Sequence, residues 1–477
     1  MALIPNSSAG QEPAPTKPSP GVRRLPEIFF DVSELFYSSK LKYYGIAKVV
    51  SETAYEISLV RPDVRFVIFS PAHRRFFEVS PLIGEESENK VFDPNIPEKA
   101  VPIWMRHTYH ESHLARDAGI LFAKPVIKAI NLSRWRNAAG FVREVDLNGG
   151  VLIAMGRPKL MFDYIQDLRR ERNSVRFFPL LHDLIPLHDF NAKKTYSMPR
   201  NFLHDNIGVI EFASGLLANS HFTCGDLQDF SRRGILPPLP PITAVPLVHE
   251  HRDIGDKPSV EPPSEPYLLC VGGLLGRKNL EAVFNAMRLR VEQGKPVPAL
   301  VLAGAHRDSI AKALGRTDYR AIADKVVFIA NPGQTDLARL YREALALVIP
   351  SRMEGWGLPA GEAFWHGTPV ISSSAPALME VCGDLGMYFD PDDPGNLAGH
   401  IDRLMHDQDY RAELVSKIKA ARNTLRTWNN FARETLDAVE RMLASERSEY
   451  NAPATINATR RSRSDKPESP ADSSGSA

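Results

Sequence analysis

The sequence predicts two Rossmann-like, doubly wound α/β domains facing each other across a cleft, with disordered tails at both ends. Short apolar, β-branched runs alternate with helical patterns in both halves of the chain. These runs show little polar alternation, as expected of parallel strands covered on both faces by helices. A polar, proline-bearing stretch separates the two sets, and 477 residues is about twice the length at which one hydrophobic core stops growing.

Taken in order, residues 1–25 are rich in Pro, Ser and Gly and cannot bury enough apolar surface to offset their ordering entropy. The first domain, 26–248, carries candidate strands at Arg65–Ser70, Gly150–Met155, Val175–Leu181 and Thr243–Val248. Residues 249–266, HEHRDIGDKPSVEPPSEP, lack an apolar period and read as an interdomain linker. The second domain, 267–427, has candidate strands at Tyr267–Val271, Ala299–Ala303, Lys325–Ile329, Ala344–Ile349 and Pro369–Ser372. In 428–447, Phe431, Ala432, Leu436, Val439, Met442 and Leu443 form one apolar stripe, predicting a final helix that packs back toward the first domain. The polar, Ser-rich segment 448–477 reads as a second tail.

Composition narrows the function. With 58 basic and 57 acidic side chains, the chain is no polycation built to coat nucleic acid. Cys224, Cys270 and Cys382 are too few and too scattered for a disulfide framework or a four-cysteine zinc site, which points to a reducing compartment. No run of about 18 apolar residues exists to span a membrane, and prolines break the N-terminal stretch where a signal peptide would need an apolar core. The expectation is a cytoplasmic cleft protein, because open α/β sheets bind ligands beyond the carboxyl ends of their strands.

Three passages carry chemistry. In Pro350–Ile371, PSRMEGWGLPAGEAFWHGTPVI, a strand end leads into a glycine loop and a short helix starting near Pro359 and stopping at Gly367. Glu354 lies in the loop and Glu362 in the helix, with the backbone donors of Gly355, Trp356 and Gly357 between them. Paired carboxylates with backbone N–H groups suit a polyhydroxylated ligand. Two unrelated glutamates at this spacing would usually be solvated charges; the glycines, prolines and strand–loop–helix setting favour the functional reading. In Tyr267–Asn279, YLLCVGGLLGRKN, a strand runs into Gly272, Gly273 and Gly276, then Arg277 and Lys278, before a helix that Asn279 could cap. Such a turn favours an anion, although the spacing is not the dinucleotide fingerprint. In Phe177–Pro186, FFPLLHDLIP, a strand ends at His182–Asp183, placing an imidazole at the cleft edge.

In this order these passages resemble the family 4 retaining glycosyltransferases of the GT-B architecture, in the mannosyltransferase-like subgroup with an RKN phosphate loop. The likeness is strong over most of 265–425 and weak over 26–247, where FFDVSEL and YYGIAKVV are similar to the family's first strand and glycine loop. It implies transfer of a hexose from a nucleotide diphosphate sugar to a saccharide or lipid-linked acceptor in surface polysaccharide or lipopolysaccharide synthesis, with retention and without an obligate metal. GDP-mannose is the favoured donor, with UDP- and dTDP-sugars open. By the same resemblance Glu362 holds the ribose, and Glu354 contacts the donor sugar. Lys278 and Arg277 bind the diphosphate, and His182 contacts the sugar or reacting centre. Gly45 lines the phosphate floor, and Gly272, Gly273, Gly355, Trp356, Gly357 and Leu358 frame the nucleotide sugar. Gly273 stands where many members carry arginine, Trp356 replaces a commoner phenylalanine, and the threonine often found before Gly45 is missing.

Other features carry weaker signals. His107, His110 and His113 drift off one helical face and lack a cysteine to complete a metal set. His249-Glu250-His251 does not have zincin spacing and reads as linker. Residues 101–145 interleave Arg106, Arg116, Lys124, Lys128, Arg134, Arg136 and Arg143 with aromatic side chains. The plain reading is a solvated helical face; the sharper one is peripheral contact with the inner face of an anionic cytoplasmic membrane. A GT-B nucleotide-sugar epimerase, or a catalytically silent scaffold of a polysaccharide assembly complex, are the rival functions.

Overall fold

The computed structural model describes residues 26–37, 45–105, 112–188, 200–255, 257–272, 276–304 and 307–451. The first sheet is built from β1 (Ile28–Asp31), β2 (Arg65–Ser70) and β3 (Arg75–Val79), flanked early by α1 (Ser33–Tyr37) and α2 (Ile46–Val60). A small ribbon, β4 (Leu82–Ile83) with β5 (Phe92–Asp93), precedes α3 (Leu114–Trp135) and the edge strand β6 (Val142–Glu144). Then come β7 (Val151–Ala154), α4 (Pro158–Arg170), β8 (Arg176–Leu181), α5 (Arg200–Phe212), β9 (Leu216–Ala218), α6 (His221–Arg232) and β10 (Ile242–Ala244). The sheet order is β10-β9-β8-β7-β1-β2-β3-β6, parallel except at β3 and β6. β1 and β7 are buried at every position, which is why they carry no polar alternation.

The second sheet alternates β11 (Tyr267–Val271), α7 (Leu280–Glu292), β12 (Ala299–Gly304), α8 (Arg307–Leu314), β13 (Val326–Ala330) and α9 (Gln334–Glu343). It continues with β14 (Ala346–Ile349), α10 (Leu358–Trp365), β15 (Val370–Ser373), α11 (Pro376–Cys382) and β16 (Met387–Phe389). Its order β13-β12-β11-β14-β15-β16 is wholly parallel and reverses direction between β11 and β14, the switch point where such sheets open a crevice. Helices α12 (Pro394–His406), α13 (Gln408–Ala420) and α14 (Trp428–Asn451) complete the described chain. Local chemistry sets the helix starts. Ser220 caps α6 by accepting from the Thr223 N–H, and Asp393 caps α12 just ahead of Pro394.

All the strands expected in the sequence are present, displaced by at most a few residues. β3, β4, β5, β6, β9 and β16 are not signalled there; β4, β5, β6, β9 and β16 have two or three residues each, and β3 and β6 form the antiparallel edge, where the buried-run signal of parallel strands does not apply. Asn279 does not cap α7 through its side chain: it takes a left-handed backbone (φ 52°) and donates from Nδ2 to the Pro391 carbonyl at 3.0 Å.

The start of the presumed linker is also different from a solvated tether. His251 is buried, and the His249 and Glu250 N–H groups both donate to the Arg426 carbonyl. Arg426 in turn donates to the Pro246 and Leu247 carbonyls, and Glu250 accepts the Trp428 N–H at 2.8 Å. The two chain crossings between the sheets are thus knitted together. The α14 stripe Phe431, Ala432, Leu436, Val439, Met442 and Leu443 is buried, and the helix lies against α2. A continuous apolar cluster joins the first sheet, these crossings, α14 and the second sheet.

Candidate functional site

Between the two sheets lies a cavity of 370 Å³. Gly45, Lys48, His182 and Asn219 line it from the first domain; Gly272, Lys278, Gln334, Glu354, Gly355, Trp356, Gly357, Leu358 and Glu362 line it from the second. Nearly all the residues singled out in the sequence therefore meet at one place. Arg277 stands behind this lining and reaches it through Glu354. Gly273 lies outside the described residues.

Each carboxylate of the Glu354…Glu362 pair is held by a lysine. Glu354 Oε1 receives Lys278 Nζ at 2.5 Å, and Glu354 Oε2 receives Arg277 at 3.3 Å. Arg277 also donates to the Met353 carbonyl at 3.1 Å, which fixes the guanidinium against the loop. Burial alone would push the Glu354 carboxyl up; the charges of Lys278 and Arg277, with the hydrogen bond from Lys278, outweigh it and hold its pKa below the usual value. Asp183 lines the same cavity and interacts with both Arg277 and Glu354; burial pushes its carboxyl above the usual value, and the Arg277 charge partly offsets this.

Glu362 is held from the opposite domain. Lys48, on the first turn of α2, donates to Glu362 Oε1 at 2.6 Å, and the Tyr341 hydroxyl donates to Oε2 at 2.7 Å. Lys48 also donates to Gln334 Oε1 at 3.0 Å. Burial raises the Glu362 pKa, but the Lys48 ammonium is the chief opposing influence, and the balance brings it down to about 2. His251 and His366 stand beside this pair, Nδ1 to Nε2 at 2.9 Å, with the His366 ring stacked on Tyr341. Burial, and then neighbouring cations, lower their pKa values to about 3 and about 4, so both rings are neutral at pH 7.

The first domain contributes backbone and an imidazole. Gly45 precedes α2 with φ 57° and ψ −126°, a conformation side-chain-bearing residues avoid, and this turns the open N–H groups of a 15-residue helix to the cavity. His182 Nε2 lies 2.7 Å from the Met155 carbonyl, so that nitrogen carries the proton and Nδ1 is left as the ring's acceptor. Burial lowers the His182 pKa, keeping the ring neutral.

The glycine loop is wedged between the domains. A Cβ on Gly355 would overlap the His182 carbonyl oxygen, so only glycine allows this approach. Trp356 is buried and donates its indole N–H to the Val248 carbonyl at 3.1 Å. It borders the cavity, but that polar group serves to anchor the loop. Glu380, on α11, accepts the His221 and Phe222 N–H groups at the start of α6, tying the domains again.

Lys48, Gln334 and His366 are site residues that the sequence does not single out, and His251, read there as linker, is buried beside them. Lys48 lies in the apolar opening of α2 and meets a partner 314 residues away. Its place one helical turn after Gly45 is the one local hint of a role. Among the described residues, no cluster of three or more His, Cys, Asp or Glu is placed to hold a metal ion. His107 and His110 lie outside the described residues, and His113 is exposed.

Solved structures share this arrangement of two facing sheets. The chain matches sucrose-phosphate synthase from Thermosynechococcus elongatus with a TM-score of 0.59 at 18% identity, covering 88% of this chain and 100% of that one. It matches HepE of Anabaena, solved in complex with UDP-glucose, with a TM-score of 0.54 at 15% identity, covering 87% and 100%. The architecture is GT-B. Residues 252–421 match the family model described as glycosyl transferases group 1. Over 175 residues the chain is 31% identical to an uncharacterized glycosyltransferase of Methanocaldococcus jannaschii, covering 36% of this chain and 44% of that protein. It is 30% identical over 173 residues to O-antigen chain mannosyltransferase B of Escherichia coli, covering 36% and 45%. The chain thus spans less than half the length of these curated relatives. No described helix is long and apolar enough to cross a membrane.

Proposed function

We propose that this GT-B protein transfers a hexose from a nucleotide diphosphate sugar to a hydroxyl of a saccharide or lipid-linked acceptor in surface polysaccharide or lipopolysaccharide synthesis. The reaction retains configuration at the anomeric carbon and needs no metal, and it takes place at the cytoplasmic side. Mannose from GDP-mannose is the first donor to test, supported by the similarity to an O-antigen mannosyltransferase; UDP- and dTDP-sugars follow.

The convergence of the Glu354–Lys278–Arg277 cluster, the Lys48–Glu362 pair and the N-terminus of α2 on one interdomain cavity carries this reading. A nucleotide diphosphate sugar supplies what each part can recognise: ribose and sugar hydroxyls for the two carboxylates, and a diphosphate for the cations and helix N–H groups. As the bond from the anomeric carbon to the diphosphate oxygen breaks, its electron pair goes to that oxygen. Lys278, Arg277 and the α2 N–H groups stabilise the growing charge. The acceptor oxygen bonds to the same carbon, and its proton leaves with the diphosphate. Neutral His182, with Nδ1 as acceptor, orients a sugar hydroxyl. Donor binding exchanges the Glu354–Lys278 and Glu362–Lys48 contacts for contacts to the ligand.

A thermal-shift series with GDP-, UDP- and dTDP-sugars, followed by transfer of a labelled sugar, tests the reading. A raised melting temperature with one donor and a labelled, configuration-retained product are expected. No shift with any nucleotide sugar, or isomerisation of the donor without transfer, overturns it.

A further inference from the structure

Helix α3 turns an apolar face to solvent. Leu114, Leu121, Phe122 and Val126 are 91%, 69%, 76% and 59% exposed, and their spacing aligns them, with exposed Ala118, Pro125 and Ala129, along one side of the helix. Isolated exposed leucines are ordinary; a contiguous apolar stripe is a contact surface. The opposite side is fixed to the domain. Asn131 exchanges two hydrogen bonds with the Ile103 backbone, and Trp135 is packed among Phe36, Phe77 and His73. The stripe's outward direction is therefore set by packing.

Its surroundings are basic. From 112 to 145 the chain has six Lys and Arg against Asp117 and Glu144, and each of these acids is already bonded to an arginine. A symmetric pair of copies would bring two such basic faces together, whereas an anionic bilayer matches both the charge and the apolar stripe.

Beneath the same helix lies a second cavity of 420 Å³. Lys124 and Lys128 line it from α3, with Arg74 and Arg170 across from them. Among the described residues Asp163 and Asp167 are its only acidic lining, and Asp167 holds both arginines. Ser33 and Tyr37 of α1 form another wall. From the same helix Glu34 accepts the Arg157 N–H, two residues beyond the Met155 carbonyl on which His182 rests.

We propose that α3 docks on an anionic bilayer with its apolar stripe among the acyl chains, and that the cavity beneath it receives the phosphate end of a membrane-borne acceptor. The acceptor half of this inference rests on the proposed sugar transfer; the docking half does not.

Sedimentation with vesicles of phosphatidylcholine alone, and of phosphatidylcholine mixed equally with phosphatidylglycerol, tests the docking. The full chain is expected to bind the anionic vesicles selectively and to release as salt rises. The double variant Leu121→Ser/Phe122→Ser is expected to lose at least about tenfold in partitioning while keeping the wild-type melting temperature and nucleotide-sugar shift. Equal binding to both vesicles, or wild-type binding by the double variant, overturns the docking. So does a lipid-free dimer that this variant disperses, which would assign the stripe to a second copy. For the cavity, dodecyl phosphate is expected to raise the melting temperature of wild type and to do so less in Lys124→Ala/Lys128→Ala; no difference from dodecanol overturns that half. Vesicle binding without any nucleotide-sugar shift would reject the transferase reading and leave the docking standing.

Discussion

Replacing Lys48 by methionine isolates the contact that spans the two domains. The Lys48 and Glu362 side chains are 4% and 7% exposed, with Nζ 2.6 Å from Oε1. Removing one partner of a buried pair leaves the other charge uncompensated, which costs about 3–5 kcal/mol. The pKa of Glu362 gives a second measure. It is held down to about 2 from 4.5, and at about 1.4 kcal/mol per pH unit that amounts to about 3 kcal/mol of stability. The two measures agree in size. Urea unfolding at pH 7 is expected to show a loss of about 3–5 kcal/mol for Lys48→Met, most of it recovered in Lys48→Met/Glu362→Gln, where no lone carboxylate remains. A single variant that loses less than about 1 kcal/mol, or a double variant whose loss is the sum of the two singles, refutes the reasoning.

Further expectations concern pH, the loop and the cations. Glu362's folded-state pKa lies below its ordinary value, so its stabilisation is complete above pH 4.5 and is lost as pH falls through about 2; acid unfolding of Glu362→Gln should lack this component. Gly355→Ala places a Cβ against the His182 carbonyl and should destabilise by about 1–3 kcal/mol and slow transfer, read by urea unfolding and initial rates. Glu354→Ala should lower kcat by about 10²–10⁴, while Lys278→Ala should weaken donor use, both measured in sugar-transfer kinetics. Transfer after exhaustive chelation should match the untreated rate; a loss restored by a divalent cation would reject the metal-free mechanism.

The parts of this molecule written in local runs could be read from sequence. β11, β12, β14 and β15 are continuous apolar stretches, and the loop from Pro350 to Gly367 announces its own strand, turn and helix. β6 and β16 could not, because each has only three residues, too few for an apolar run of its own to mark it. The same limit applies to the site. Glu354, Arg277 and Lys278 sit in recognisable loops, whereas Lys48, Gln334 and His251 acquire significance only through partners that tertiary folding delivers. Sequence also assigned Lys278 to a ligand and Glu354 to another part of it; folding joins them to each other. An ionised carboxylate in a buried place needs a counter-charge, and the nearest loop cation supplies it.

The loop bearing Glu354 abuts the His182 carbonyl at Gly355 and is pinned to Val248 by the Trp356 indole. It therefore belongs mechanically to both halves of the molecule. Any rotation that widens the gap must strip this loop from one wall or drag it along, so the carboxylate at Glu354 moves with the opening of the cavity. Turnover and hinge motion would share the same few atoms, and a substitution there would alter product escape as readily as chemistry.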